Sequence, residues 1–313
     1  MNKKYFIFAF IFVCLALTLS WVAREYARRN EDLSSSGTAT FDRTKSKLSY
    51  LGHIRINSAE GGEINLYRRE GLWRFKEAKD YFANHGQLNN LFEMFNSSII
   101  ISATTADEKG LKKHGLDDAN GVLLQSYSLD NTLLEQIIIG NKTKQNTCYA
   151  RIPEKTDVYY QISNCLLFSA NAGDWLPYPL LALPHHLIKS IKTPDFVASH
   201  DEINNKIIES VSIRHIILAL GSLDYQGIIY KDEMPDEKEI PIETRPVEVE
   251  MANGLLYLLN IHKIADEYWV EIQLKTGKVT RKSVLQFIEK NQQYFDKWLF
   301  KLDDYDGRLL FEL

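Results

Sequence analysis

Cysteine, proline and glycine are all scarce, at three, eight and sixteen in 313 residues. That excludes a disulfide-dense mini-protein, a collagen-like chain and a low-complexity one. No phosphate loop, dinucleotide-binding glycine fingerprint, nucleophile elbow or HExxH helix occurs. No cofactor is therefore expected, and no catalytic or metal-ligating residue can be assigned. An excess of basic charge is missing as well. Five of the 37 basic residues but one of the 41 acidic ones fall within the first 29 positions, so the remainder carries a net charge of −8. Phosphate repulsion then argues against nucleic acid as a partner. What is present is 45% hydrophobic, 25% charged and 12% aromatic residues, enough to build a core of one or two domains.

The N-terminus holds the strongest single signal. Tyr5 to Ala23, YFIFAFIFVCLALTLSWVA, is an uncharged run preceded by Lys3 and Lys4. As a helix it would span roughly 29 Å, close to the hydrocarbon thickness of a bilayer. Trp21 and Tyr26 lie where an aromatic belt is expected. Signal peptidase requires small residues one and three positions before its cut, and a cut after Ala23 would put Trp21 at the third. Thr18 and Ser20 make a weaker alternative, so an uncleaved signal anchor is favoured. A short N-terminal tail before a long domain favours N-in, C-out. The expected organisation is a cytoplasmic tail (1–4), a transmembrane anchor (5–23), a polar linker (24–47) and an exported body. That body divides into a first α/β unit (48–192) and a second (193–313).

Export would place Cys148 and Cys165 in an oxidising compartment, where a disulfide becomes available to them. Pairing across the intervening hairpin sets Cys148 near Gln161 and leaves Cys165 some four residues away. Two unpaired thiols are the favoured reading, and a disulfide is the alternative.

The linker Asn30–Lys45 is rich in Ser, Gly and Thr, and order is expected from about Leu48. His53–Asn57 and Glu63–Arg68 alternate around Glu60–Gly61–Gly62 as a hairpin, followed by a strand at Gly71–Phe75. Leu88, Leu91, Phe92 and Phe95 mark an amphipathic helix under which Trp73 should pack. Glu108–Lys113 reads as a short helix stopped by Gly115. Val122–Tyr127, Leu133–Ile139, Cys148–Ile152 and Val158–Ile162 form an antiparallel meander. Later come a strand at Leu187–Ile191, a helix over Asn204–Leu220 and an irregular acidic stretch, Lys231–Glu250. Strands at Val247–Met251, Leu255–Ile261 and Tyr268–Leu274 follow, then a helical face of Val284, Phe287, Ile288 and Phe295. Trp298–Leu302 and Leu309–Leu313 close the chain around a turn at Asp306–Gly307. The fold class is α+β, with mostly antiparallel sheets and packed helices behind the N-terminal transmembrane helix.

Several residue groups resemble chemistry but have simpler readings. His185–His186 cannot direct both rings at one metal from a regular element. His200–Asp201–Glu202 reads as a helix N-terminus together with Ser199. Asp304, Asp306 and Gly307 suggest a calcium loop, but counting from the glycine puts Leu302 where the first carboxylate belongs. Asp117–Asp118 reads as a turn and Asp232–Glu239 as a solvated loop. Asn96 and Asn141 begin glycosylation sequons, which short patterns produce often by chance.

The ordered set Gly71–Leu72–Trp73, His114–Gly115–Leu116–Asp117, Ile137–Ile138–Ile139–Gly140, Tyr149–Ala150–Arg151 and Val158–Tyr159 resembles the bacterial domain of unknown function 4340. Asn253–Gly254–Leu255, Tyr268–Trp269 and Trp298–Leu299–Phe300 are similar to the ends of longer members. His114 replaces the usual aromatic, and Ala119 stands where proline is common. The resemblance implies two related α/β units, with Leu187 onward echoing His53 onward. It also implies an envelope protein associated with ABC-transporter-like systems, and it carries no catalytic residues. The expectation is a non-enzymatic binding module held in the cytoplasmic membrane, with its body on the periplasmic or extracellular side and a membrane protein as partner. An envelope hydrolase acting on a cell-wall or lipid substrate is the alternative, and a structural tether the third reading.

Overall fold

The computed structural model describes residues 37–58, 62–143, 146–168, 170–199, 211–235, 240–278 and 281–312, together with Thr18 and Ser20. The rest of the expected membrane segment 5–23 lies outside them. Among the described residues no helix is long and apolar enough to cross a membrane. The chain folds into two compact units. The first comprises residues up to Leu72 and His85–Asn171, the second Trp73–Asn84 and Ala172–Leu313. Both are α+β with antiparallel sheets.

In the first unit a hairpin of β1 (Leu51–Ser58) and β2 (Glu63–Arg69) leads to the helix His85–Ser97. Next come β5 (Ile100–Thr105), the short helix Glu108–Lys113 and a meander of β6 (Val122–Ser128), β7 (Leu133–Lys142), β8 (Thr147–Arg151) and β9 (Val158–Ser163). The strands run in the order β2-β1-β6-β7-β8-β9-β5. Alternation decides which face is covered. Ile54, Ile56, Ile64, Leu66 and Leu124 are fully buried or nearly so, while His53, Arg55, Asn65 and Gln125 between them are half-exposed. The helix His85–Ser97 buries Leu88, Leu91, Met94 and Phe95.

In the second unit a hairpin of β10 (Ile188–Lys192) and β11 (Val197–Ser199) leads to the helix Val211–Gly221 and β12 (Gly227–Tyr230). A meander follows, of β13 (Ile242–Met251), β14 (Leu255–Ile264), β15 (Glu267–Thr276) and β16 (Trp298–Lys301), with the helix Lys282–Asn291 inserted before its last strand. The order is β11-β10-β13-β14-β15-β16-β12. Strand for strand this repeats the first unit.

The repeat extends to single hydrogen bonds. The register between β1 and β6 shifts between Leu51 and His53, and that between β10 and β13 shifts between Ile188 and Ser190. A 3-10 turn precedes each, Leu48–Tyr50 and His185–Leu187. Leu129 N–H donates to Tyr50 C=O at 2.9 Å, and Ala252 N–H to Leu187 C=O at 2.8 Å. The first meander turn is closed by Asp130 accepting from Thr132 N–H, and its counterpart by Asn253 accepting from Leu255 N–H. The next residue is left-handed in both, Asn131 and Gly254. The resemblance's two related units are therefore one topology used twice.

Several boundaries differ from the sequence reading. The units divide between Asn171 and Ala172, not at 192, because Ile188–Lys192 pairs with β13 of the second sheet. Residues 73–84, including β4 (Tyr81–Phe82) and most of β3 (Leu72–Phe75), also belong to the second unit. Trp73 accordingly groups with that unit and is half-buried; Phe75 is the fully buried residue. Tyr81 packs edge-on against Trp298, with centroids 5.0 Å apart, and Trp298 donates to Lys79 C=O. The expected linker also ends earlier. Ala39 bridges to Ile99, Asp42–Ser46 is helical, and Phe41 is buried against the Phe95 ring. Within the expected irregular stretch, Ile242 onward is strand.

The C-terminus is helical over Asp304–Glu312 and runs straight through Asp306–Gly307, where the chain was expected to turn. Asp303 caps it by accepting from Asp306 N–H at 2.9 Å. Gly307 lets it approach β15, since a Cβ there would lie 2.3 Å from Tyr268 Cβ.

Cys148 and Cys165 are joined, their Cα atoms 5.7 Å apart. The register pairs Cys148 with Ile162, one residue from the expected Gln161. Left-handed Asn164 then turns the chain back, and Cys165 N–H donates to Asn146 C=O at 3.3 Å. Closing a loop of 17 residues restricts the unfolded chain.

Two predictions follow from packing. Cys165→Ser should lower stability by about 3 kcal/mol in denaturant unfolding, matching the effect of reducing the parent. Gly307→Ala should cost about 1–3 kcal/mol by overpacking against Tyr268. Gly221→Ala is the control, since a Cβ there meets nothing within 4 Å. It should leave stability unchanged or slightly raised.

Candidate functional site

Comparing the two units shows where they diverge. Along the strands from the shared bulge, Gly140 occupies the place of His262, Ile138 that of Asn260 and Arg151 that of Glu271. Lys231 takes the place of Ala106, each donating its N–H across to the last meander strand's approach, at Lys297 and Asp157. In the first unit, backbone covers this position. A Cβ on Gly140 would lie 2.3 Å from His114 C=O, and Arg151 donates to Leu116 C=O and pairs with Asp118. The turn His114–Gly115–Leu116–Asp117 thus lies directly on β7. In the second unit, side chains fill the same position.

Glu271 is the centre of that group. It lies opposite Asn260 in the β14–β15 register, and the two share the half-exposed face. Lys231 Nζ stands 2.7 Å from its Oε1, Gln273 donates to Oε1 at 3.1 Å, and Asn260 donates to Oε2 at 3.3 Å. Burial alone would raise the Glu271 pKa. The hydrogen bonds from Lys231, Gln273 and Asn260 outweigh it and bring the carboxyl down to about 2. Beside it, His262 is buried, and burial lowers its pKa, which keeps the imidazole neutral at pH 7. Its Nδ1 lies 2.8 Å from Thr244 Oγ1, and its Nε2 lies 4.0 Å from Glu271 Oε2.

Hydroxyl, imidazole and carboxylate therefore stand in a row, the order in which a hydrolase arranges them. The spacing does not complete that arrangement. At 4.0 Å the imidazole–carboxylate contact exceeds a hydrogen bond. The carboxylate already accepts from three other donors, so it is a weak base. Among the described residues no group of three or more His, Cys, Asp or Glu side chains could hold a metal ion. The geometry instead presents a fixed ammonium–carboxylate pair with amide donors on a half-open sheet face, a surface suited to polar recognition.

The residues singled out in the sequence lie elsewhere. His185 and His186 are exposed in their 3-10 turn, with rings edge-on 5.7 Å apart. His200, Asp201 and Glu202 lie outside the described residues. Asp117 accepts from Asn120, Asp118 pairs with Arg151, and Glu233 pairs with Lys79. Residues 236–239 of the acidic run are outside the described residues. Asp304 and Asp306 fall in the first turn of the last helix, where Asp304 pairs with Arg308. Burial and the neighbouring Asp303 and Asp224 carboxylates raise Asp306 to about 6.

No motif signals the Glu271 group, because Lys231 and Glu271 are 40 positions apart and meet only through the β12–β16–β15 pairing. The single legible hint is strand alternation, which puts Asn260 and His262 on one face of β14.

The two perturbed carboxyls give opposite pH behaviour. Glu271 titrates below its ordinary 4.5, so its contribution is present above about pH 4.5 and lost as pH falls toward 2. Asp306 titrates above its ordinary 3.8, so stability declines as pH rises from about 4 to about 6. Urea unfolding across pH should show Glu271→Gln losing about 2–3 kcal/mol at pH 7, with a flattened acid limb. Asp306→Asn should gain about 1 kcal/mol at pH 7.5, reduced from the full shift by solvent screening.

Comparison with curated proteins and with solved structures gives no match. The family described as Domain of unknown function (DUF4340) matches residues 73–239, from β3 through the first unit's meander to the acidic run beyond Lys231. The His114–Gly115 turn on β7, the Tyr149–Ala150–Arg151 strand and the Cys148–Cys165 closure all fall inside that span, and the chain belongs to the DUF4340 family.

Proposed function

We propose that this protein is an exported, membrane-anchored binding module that serves a membrane complex, such as an ABC-transporter-like system. The observation that carries the reading is the Cys148–Cys165 bond, since such bonds persist outside the reducing cytosol. The uncharged run Tyr5–Ala23 supplies the anchor. Tethering to the bilayer raises the effective concentration near membrane partners, so modest contact chemistry suffices. Each unit offers such chemistry on the half-exposed face of its sheet: His53, Arg55 and Asn65 in the first, and Lys231, Glu271 and Gln273 in the second.

A second reading, an envelope hydrolase, rests on the row Thr244–His262–Glu271. One experiment separates the two. Full-length protein is purified from its own membranes in mild detergent after carbonate washing, as the parent and as Thr244→Val and His262→Asn. The binding reading predicts that all three resist extraction and recover the same integral membrane protein. Loss of biological function in Thr244→Val or His262→Asn, with folding and partner recovery unchanged, would promote the hydrolase. Release of the parent into the carbonate supernatant would defeat the anchor.

A further inference from the structure

We infer that one end of the first unit, built from Tyr50, Leu129 and Leu133 and ringed by Lys45, Lys47 and Arg68, seats on the anionic surface of the bilayer that holds the chain. The inference rests on the membrane anchor proposed above. Tyr50 is 65% exposed, Leu129 56% and Leu133 39%, although all three are large and apolar. They are neighbours: Leu129 N–H donates to Tyr50 C=O, and Leu133 follows from the same turn to pair opposite Tyr127. The basic side chains adjoin them. Lys45 and Lys47 are exposed just ahead of the 3-10 turn, Tyr50 N–H donates to Lys47 C=O at 2.8 Å, and Arg68 donates to Ser49 C=O at 3.1 Å. Of the nearby acids, Asp130 stays ionised, its pKa lowered by hydrogen bonds from Ser128 and Thr132, Glu135 accepts from the N–H groups of Arg43 and Thr44, and exposed Glu70 at the end of β2 is offset by exposed Arg69 beside it. Asp42 is exposed but is offset by Arg43 beside it.

An aromatic and two leucines within a basic ring match what a headgroup region takes: apolar groups that enter it and cations that meet its phosphates. The second unit gives an internal comparison. At the same positions it has Pro184 for Lys47, Leu187 for Tyr50 and Ala252 for Leu129, with Leu187 N–H donating to Pro184 C=O as Tyr50 does to Lys47. Leu187 is also exposed, at 44%, so an apolar residue is common to both turns, whereas the lysine and the bulk of Leu129 are not required by the fold. They occur in the unit that follows the anchor. Only residues 24–36 separate Ala23 from Gly37, so even fully extended that segment keeps Gly37 within about 50 Å of the anchor's end.

The test uses the full chain in nanodiscs of phosphatidylcholine containing roughly one-third phosphatidylglycerol. Spin labels are placed at Leu129→Cys, at Ala252→Cys as the reference (both with Cys14→Ser), and at native Cys14. Collision with a water-soluble relaxing agent should be several-fold lower at 129 than at 252. That protection should fall when phosphatidylglycerol is omitted, and in Lys45→Glu/Lys47→Glu/Arg68→Glu with melting unchanged. Equal, full accessibility at 129 and 252 would overturn the inference. The Cys14 label reports the anchor separately. If it is water-accessible, the anchor reading fails while the label at 129 still decides the patch.

Discussion

Register between the opening strand of each unit and the first strand of its meander is the constraint on which everything else depends. Antiparallel strands alternate sides, so a slip of one residue would turn Ile54, Ile56 and Leu124 outward and bring Arg55 and Gln125 into the core. Both units fix that register in the same way. A 3-10 turn enters the strand, a bulge follows its first residue, and one backbone hydrogen bond ties the turn to the next hairpin. Once it is set, one face of each sheet is apolar and covered, while the other is free to differ between units.

That freedom is where the units part. The first lays a backbone turn on Gly140, where no side chain fits. The second puts a neutral imidazole at the same point and surrounds it with an ionised carboxylate, an ammonium and two amides. A common scaffold holds two different surfaces, one closed by main chain and one furnished with fixed polar groups. A repeated fold can in this way carry two different surface chemistries without changing its core.

Much of the architecture was legible because alternation and turn chemistry are local. Glu108–Lys113 and Val122 onward follow directly from pattern, and Gly115 is the left-handed residue its position requires. The errors come from tertiary context. Asp306–Gly307 ahead of Leu309, Leu310 and Phe311 resembles a turn, but Asp303 caps a helix there and Tyr268 accepts the glycine. Trp73 looked like core, although Phe75 takes that role. The cysteines seemed too far apart because a left-handed Asn164 cannot be read from hairpin counting. Lys231 and Glu271 meet only through two intervening strand pairings, which no local pattern encodes.

The central claim is that the body works outside the reducing cytosol, tied to the membrane by its N-terminus. The most direct measurement is the thiol state in living cells, taken by acid quenching, alkylation and intact-mass analysis of the full chain. Of the three cysteines, only Cys14 should take up label, with Cys148 and Cys165 becoming reactive only after reduction. Uptake at all three without reductant would place the body in a reducing compartment and contradict the account.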